Sequence, residues 1–379
     1  MSSSTPARPR ILIVVSQDHG ELFNAVYLLE GMNIDALLLL PQRLHVLNCE
    51  DLRIPCAAFD SCSTLLNQVR LYRPDIVLLF SGYLLVMNQL LTSQKLEQLV
   101  TTLNSEGIML ATSDPFLGLL SQARVRTTEL NHPAADQIRR QFEQVASLLQ
   151  NVTHVSHAPA RAELHTTHLS FFNPRYGAEP AAPQATAAEH HTESRPTWLF
   201  VLSTEDFGMQ CHLHGTDAFC QTLANLLRQT LVGRRLPVLV APTSCLAAVQ
   251  RLNAADEPVH GYDSLSYEKF RDLLNRAESA FYWNQFSASV LHRILHHQPV
   301  FLFDQGHLSR AVPAFGRHAR DHFFRDCELP VLEPHQPLTP EALRPLAALQ
   351  IDGLLQPAID HLSQTVDPEE FLRQLAVTS

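Results

Sequence analysis

Lysine is nearly absent from this 379-residue sequence, and its basic charge comes almost entirely from arginine. The 28 basic side chains are outnumbered by 38 acidic ones, so the formal net charge is −10 at pH 7. A surface that binds nucleic acid needs clustered positive charge, and no basic stripe occurs along the chain. We therefore expect no nucleic-acid partner.

The sequence also lacks a signal peptide, a membrane-length apolar run and paired cysteines. The first ten residues, MSSSTPARPR, are polar, and the apolar run that follows, ILIVV, is too short to cross a bilayer. The seven cysteines are scattered without a CxxC pair, which is typical of free thiols in a reducing compartment. These absences predict a cytoplasmic protein with no membrane span.

What is present is a repeated alternation of short apolar runs and amphipathic stretches. The runs at residues 11–15, 36–40 and 75–80 are each followed by a turn and a helical pattern. The alternation restarts at residues 198–202 and continues at 236–241. Parallel strands require such crossovers, and strands buried on both faces are apolar throughout. The predicted fold class is α/β, with two Rossmann-like domains whose parallel sheets face an interdomain cleft.

One segment interrupts this alternation and marks the predicted domain boundary. It is rich in Ala, Pro and Glu and lacks periodic apolar residues. We predict an N-terminal Rossmann-like domain at residues 1–172, a linker or mobile loop at 173–196 and a C-terminal Rossmann-like domain at 197–365. A terminal helix follows at 366–379, and whether it crosses back to the first domain stays open.

The candidate base lies in the first half, at the ends of predicted strands. Ligands of open α/β sheets bind there, beside helix N-termini that favour anions. Asp18 and His19 follow the first strand and Asp114 follows a later one, so each could accept a proton. The same residue types are equally typical of helix caps and turns, and the first loop has no GxGxxG fingerprint.

The candidate anion site lies in the second half, in the loop NQFSAS at residues 284–289. This loop joins an apolar strand to a helix, so backbone N–H groups and the Ser287 and Ser289 hydroxyls would suit a phosphate. An ordinary serine N-cap is the alternative. The pair Arg234 and Arg235 would also suit an anionic ligand. His212 with His214 has no established third ligand, whereas His292 and His296 could form an acid/base or metal cluster with Asp304 and His307. Because the chain has 20 histidines, we expect most of them at the surface or in the core, and we expect no metal.

The second half, over residues 198–310, resembles the nucleotide-binding half of GT-B glycosyltransferases and of the related sugar-nucleotide 2-epimerases. The resemblance lies in a helix such as YEKFRDLLNRA, a short strand, the small-residue loop, a helix and the strand QPVFLFD. The chain departs from the pattern where His292 or Arg293 replaces an acidic residue and NQFSAS replaces a Gly-rich turn. The resemblance implies that Tyr262 contacts the base of the nucleotide-sugar and that Ser287, Ala288 and Ser289 contact its diphosphate. It also implies that the loop from Asp304 to His307 contacts the sugar.

The resemblance implies transfer of a sugar from a nucleotide-sugar donor to an unknown acceptor, without a resident cofactor. Two alternatives stay open: a non-catalytic protein that holds a peptide or partner protein in its cleft, and an epimerase-type hydrolase of the same superfamily. The transferase hypothesis assigns the base to Asp18, His19 or Asp114, and the neutralisation of leaving-group charge to Ser287, Ser289, Arg234 and Arg235.

Overall fold

The chain forms two compact units, one of Met1–Glu179 with His361–Ser379 and one of Pro180–Asp360. The structure is a computed structural model that describes residues 9–16, 19–113, 135–159, 168–176, 195–253, 259–311, 313–325 and 327–377. Each unit contains one parallel sheet with helices between its strands. The predicted α/β class with two parallel sheets is confirmed. No helix within the described ranges is both long enough and apolar enough to span a membrane.

The first unit contains a seven-stranded sheet in the order β3-β2-β1-β4-β5-β6-β7. Its strands are β1 (Arg10–Val15), β2 (Asp35–Pro41), β3 (Cys56–Phe59), β4 (Ile76–Phe80), β5 (Met109–Thr112), β6 (Thr153–Ser156) and β7 (His168–Ser170). Its helices before the second unit are α1 (His19–Leu29), α2 (Gln42–Asn48), α3 (Cys62–Tyr72), α4 (Gly82–Met87), α5 (Ser93–Ser105) and α6 (Ala135–Leu149).

The second unit contains a five-stranded sheet in the order β10-β9-β8-β11-β12. Its strands are β8 (Thr197–Val201), β9 (Leu236–Val240), β10 (His260–Tyr262), β11 (Ala277–Tyr282) and β12 (Val300–Leu302). Its helices are α7 (Thr204–His214), α8 (Thr216–Val232), α9 (Thr243–Leu252), α10 (Tyr267–Arg276), α11 (Ala288–Leu295), α12 (His307–Ala311), α13 (Pro313–Phe323) and α14 (Pro340–Leu349). A π-helical turn (Gln350–Leu354) and α15 (Gln356–Leu362) follow.

The core of the first unit explains its apolar runs. All five residues from Ile11 to Val15 are fully buried, because both faces of the sheet are covered. Leu12 and Val14 pack in one core cluster with residues of α3, α5 and α6. Helix α1 also packs against β1 and β4, and it covers the face of the sheet opposite to that cluster.

The C-terminal helix α16 (Pro368–Val377) belongs to the first unit. Just before it, the Phe172 N–H donates to the Val366 carbonyl oxygen over 2.9 Å, next to β7. The Phe371 ring then lies 4.8 Å from the Phe171 ring, centroid to centroid, and both side chains are fully buried. The last segment of the chain therefore completes the core of the unit that the first segment begins.

Aromatic rings on β8, β11 and β12 pack together in the core of the second unit. The Phe281 ring stacks on Phe200 at 4.7 Å and on Phe301 at 5.4 Å between centroids, which links β8, β11 and β12. All three rings are fully buried. This packing fixes the ends of three neighbouring strands, and the loops that carry the candidate site follow from those ends.

Candidate functional site

Three loops of the second unit meet at the carboxyl edge of its sheet. They follow β8, β11 and β12, which are direct neighbours and run parallel. Because parallel strands end at the same edge, side chains far apart in sequence come together there. The candidate site consists of α7, the turn before α11, and the loop from Asp304 to His307.

The N-terminus of α11 is the first part of this site. Ser287 is its N-cap residue but makes no side-chain capping bond, and its Oγ instead lies 2.8 Å from the Ser289 Oγ. The turn before it is closed by the Phe286 N–H, which donates to Asn284 Oδ1 over 2.9 Å. The first-turn N–H groups of α11, including that of Ala288, are thus not capped by a side chain. A helix N-terminus of this kind favours an anion.

The loop after β12 approaches that turn closely at one glycine. Gly306 has φ +98°, and a Cβ there would lie 2.5 Å from Asn284 Oδ1. Glycine alone combines this backbone conformation with this close approach. The structure therefore brings Asp304 and His307 next to the residues that precede Ser287.

Asp304 is held by three donors in this loop. Its carboxylate accepts from Arg310 Nε over 2.6 Å, from Gln305 N over 2.7 Å and from the Gln210 side-chain amide. Only 5% of Asp304 is exposed. A carboxylate with this set of donors is fixed in place, so Asp304 with Arg310 forms a rigid, ion-paired wall of the site.

His307 is oriented by Asp206, a buried residue in the first turn of α7. Asp206 Oδ1 accepts from both His307 N, over 2.9 Å, and His307 Nδ1, over 2.8 Å, while Ser203 Oγ donates to Asp206 Oδ2 over 2.7 Å. Because a carboxylate oxygen only accepts, Nδ1 carries the proton of this bond. The pattern Ser203-x-x-Asp206 is a helix-start signal, and it was the only local sign of this pair.

Tyr262 lies at the same carboxyl edge, three strands from β11. It ends β10, its side chain is partly exposed, and its carbonyl oxygen accepts from Ala241 N over 3.0 Å. With strands about 4.8 Å apart, β10 and β11 are separated by about 14 Å at this edge. That separation suits a ligand with two distinct ends.

The structure does not bring Arg234 and Arg235 to this edge. They precede β9, at the amino edge, and β9 is five residues long, so about 15 Å of strand separates the two edges. Arg235 instead donates to Glu278 from Nε over 2.9 Å and Nη2 over 3.0 Å, and this guanidinium lowers the pKa of that carboxyl. Neutralisation of a phosphate by Arg235 at the Ser287 site is therefore a prediction that the geometry does not support.

Of the three candidate bases, only His19 lies within the described residues. It begins α1, directly after the carboxyl end of β1, and its side chain is exposed. Asp18 and Asp114 lie outside the described residues. His19 is thus at an edge where ligands of such sheets bind.

The remaining histidine pairs lie on or next to helices α11 and α7. His292 Nε2 lies 2.8 Å from Asn275 Oδ1, its ring stacks on that of His296 at 4.1 Å, and burial lowers the pKa of both. His212 and His214 lie on α7, where positions two apart point in different directions. Among the described residues, no group of three His, Cys, Asp or Glu side chains is arranged to hold a metal ion.

Arg293 occupies the region in which the resembled enzymes carry an acidic residue, and its contacts are internal. Its side chain is fully buried, and it donates to the carbonyl oxygens of Leu274, Ala277 and Pro299 over 2.6, 2.8 and 2.9 Å. Burial lowers its pKa to about 10, which leaves it charged at neutral pH. It joins the end of α10 to the starts of β11 and β12.

No protein-family model matches the sequence, and no curated protein matches it. Solved structures do match. The glycosyltransferase SnogD from Streptomyces nogalater is 12% identical, with 98% of this chain and 100% of SnogD covered and a TM-score of 0.54. The spinosyn rhamnosyltransferase SpnG, complexed with spinosyn aglycone, is 12% identical over 97% of this chain and 99% of its own, with a TM-score of 0.53.

The chain has the GT-B fold. The resemblance that the second half suggested is thereby confirmed for the fold. The S. aureus MnaA structure with UDP shares this likeness at 9% identity, with 95% of this chain and 92% of MnaA covered and a TM-score of 0.50. Likeness at these identities concerns the fold, and GT-B scaffolds carry function in their sites.

Proposed function

We propose that this GT-B chain is a glycosyltransferase that binds a nucleotide-sugar donor at the carboxyl edge of its five-stranded sheet. The observation that carries the proposal is the N-terminus of α11, which no side chain caps, next to the loop from Asp304 to His307. The positive end of a helix and a fixed carboxylate within one site suit a diphosphate linked to a hydroxylated sugar.

Each part of the donor has a candidate contact. The N–H groups of Ala288 and Ser289 and the two serine hydroxyls bind the diphosphate. Asp304 and His307 bind the sugar hydroxyls, and Tyr262 contacts the base. Support comes from SpnG, whose structure with thymidine diphosphate has a TM-score of 0.51 against this chain, and from MnaA with UDP.

The proposed reaction is displacement at the anomeric carbon of the donor sugar. The acceptor hydroxyl loses its proton to a base, for which His19, Asp18 and Asp114 are the candidates, and its oxygen forms the new bond to carbon. The bond from that carbon to the diphosphate breaks, and the nucleoside diphosphate leaves with the electron pair. The positive end of α11 stabilises the charge that develops on the leaving oxygen.

Calorimetric titration with UDP, TDP, UDP-glucose and TDP-glucose tests the proposal. We expect one nucleotide to bind, and the double variant Ser287→Ala with Ser289→Ala to bind it about tenfold or more weakly, since bonds to charged groups contribute about 1.5–3 kcal/mol each. His307→Ala should weaken binding of the sugar nucleotide more than binding of the free nucleoside diphosphate. Thr222→Ala, which removes an exposed hydroxyl from α8, is the matched control.

This titration, together with an assay of donor consumption, distinguishes the other functional classes. If no nucleotide binds at millimolar concentration, the transferase proposal fails and the non-catalytic binding protein replaces it. If the donor is consumed at the same rate with and without every added acceptor, the hydrolase of the epimerase type replaces it. Binding that is unchanged in the double serine variant would contradict the assignment of the diphosphate to α11.

A further inference from the structure

Four buried polar atoms without partners lie at the carboxyl edge of the other sheet. Ser16, Ser81 and Ser113 follow β1, β4 and β5, and His157 follows β6; these four strands are direct neighbours. The four side chains are at most 3% exposed. Among the described residues, their three Oγ atoms and the Nδ1 of His157 have no hydrogen-bond partner.

Such a row is unusual, because most buried polar atoms in folded proteins are hydrogen-bonded, and each exception costs free energy. Two backbone N–H groups of this edge are bonded: Ser16 N donates to the Phe80 carbonyl oxygen over 2.7 Å, and Ser113 N donates to that of Leu79 over 3.0 Å. The four side-chain atoms lack partners among the described residues, and they are at the edge where ligands of parallel sheets bind.

The hydrogen-bond role of His157 is set by its neighbours. Asn24 Nδ2 donates to Glu21 Oε2 over 2.9 Å, so Asn24 Oδ1 is the atom that accepts from His157 Nε2, over 2.7 Å. The proton is therefore on Nε2, and Nδ1 is an acceptor. Burial lowers the pKa of His157 to about 3, which keeps the ring neutral.

We propose that this edge of the first unit binds a neutral molecule through its hydroxyl groups. A ligand hydroxyl donates its hydrogen to His157 Nδ1, and the serine hydroxyls, which both donate and accept, pair with further ligand oxygens. None of the four side chains carries a charge to match a carboxylate, a phosphate or an ammonium group. The four strands span about 14 Å, which accommodates a molecule of one or two rings.

The role of this molecule as the acceptor of the transferred sugar rests on the proposed function, whereas its binding does not. The site lies entirely in the first unit, and the nucleotide site lies entirely in the second. The two sites can therefore be tested separately in the full chain.

The first test needs no ligand and compares the stabilities of serine variants. Removing a buried hydroxyl that has no partner removes an unfavourable term, so Ser16→Ala, Ser81→Ala and Ser113→Ala should leave the urea midpoint unchanged or raise it. Ser156→Ala is the matched control, because this equally buried serine at the end of β6 accepts from Ala158 N over 3.1 Å. Its midpoint should fall. A fall in all four would show that the three hydroxyls already have partners, such as ordered water, and would overturn the proposal.

The second test follows the ¹⁵N resonances of the His157 ring during titration with paired probes. Methyl glucoside and phenol are the neutral probes, and glucuronate and benzoate are their charged counterparts. We expect a neutral probe to shift Nδ1 and each of the three serine variants to weaken that binding about tenfold, with Ser156→Ala unchanged. No shift with either neutral probe, or equal shifts with charged and neutral probes, overturns the proposal.

The double variant Ser287→Ala with Ser289→Ala distinguishes the two proposals. It should keep the probe binding of the first unit while it loses the nucleotide. If the probes bind and no nucleotide binds, the proposed transferase function fails and the proposed site in the first unit stands. If a nucleotide binds and no probe binds, the site in the first unit fails and the transferase proposal stands.

Discussion

Two histidines at the end of β6 are neutral because they are buried. His154 donates from Nδ1 to the Val152 carbonyl oxygen over 2.8 Å, its Nε2 lies 3.2 Å from the Tyr83 hydroxyl, and its ring stacks on His168. Burial lowers its pKa to about 4, and burial alone lowers the pKa of His157 to about 3. Among the described residues neither ring has a carboxylate as a direct partner, so protonation of either one disrupts the fold.

These two groups predict that the first unit loses stability in acid. In the unfolded chain both titrate near their ordinary pKa of 6.5, so between that value and about 3 the unfolded state binds more protons than the folded state. Their contribution is fully present above pH 6.5 and falls by about 1.4 kcal/mol per pH unit for each histidine below it. Urea unfolding measured from pH 7 to pH 4 checks this.

The matched variants isolate the histidines from the carboxylates, which also titrate in acid. His154→Gln and His157→Gln should each show a shallower dependence of the free energy of unfolding on pH than the parent chain, while His260→Gln, an exposed residue of β10, should not. If all three variants keep the slope of the parent, burial does not hold these rings neutral.

At the scale of the element, two helices of the second unit begin with serine for different reasons. Ser203 caps α7: its Oγ accepts from Asp206 N over 3.0 Å. Ser287 stands at the same position of α11 but caps nothing, because its Oγ is bonded to that of Ser289. A side chain caps the first turn of α7, whereas no side chain caps that of α11, where the Val290 N–H donates to the Ser287 carbonyl oxygen over 2.9 Å.

This difference predicts unequal effects of one substitution. Ser203→Ala should lower the free energy of unfolding by about 1 kcal/mol, the usual effect of losing a cap. Ser287→Ala should lower it by less, because it removes no cap and loses only the bond to Ser289 Oγ. Urea denaturation of both variants measures this, and an equal loss in the two would show that Ser287 has a capping role after all.

At the scale of the whole molecule, the chain leaves the first unit and returns to it. Residues 180–360 form the second unit, and the chain then rejoins the first unit, where Phe371 packs against Phe171. Helix α16 is therefore part of the first core rather than an appendage of the second. A change near the C-terminus should act on the unit that contains the N-terminus.

Phe371→Ala tests this assignment. Removing a fully buried phenylalanine costs about 3–5 kcal/mol, and we expect the loss in the first unit. Amide hydrogen exchange, followed by mass spectrometry on peptides from β1 and β8, separates the units. Phe301→Ala, an equally buried ring in β12, is the mirror control and should act on the second unit. Greater loss of protection in β8 than in β1 for Phe371→Ala would contradict the assignment.

Much of the fold could be predicted from local pattern. Strands buried on both faces have continuous apolar runs, so β1, β4 and β8 lie where the sequence indicated, as does helix α11 after the small-residue loop. Short or polar elements give little local signal. Helix α4 (Gly82–Met87) has six residues, and the three residues of β10 (His260–Tyr262) are exposed.

Local patterns specify the alternation of strands and helices and the small-residue turn before α11, because each depends on neighbours a few residues apart. Which distant side chains meet depends on the three-dimensional fold. Asp206 meets His307, 101 positions later, His157 meets Asn24, 133 positions earlier, and Arg235 meets Glu278. The cause is strand order. Sheet neighbours such as β1 and β4, or β8 and β11, are paired by packing, and no local pattern along the chain specifies which strands will lie side by side.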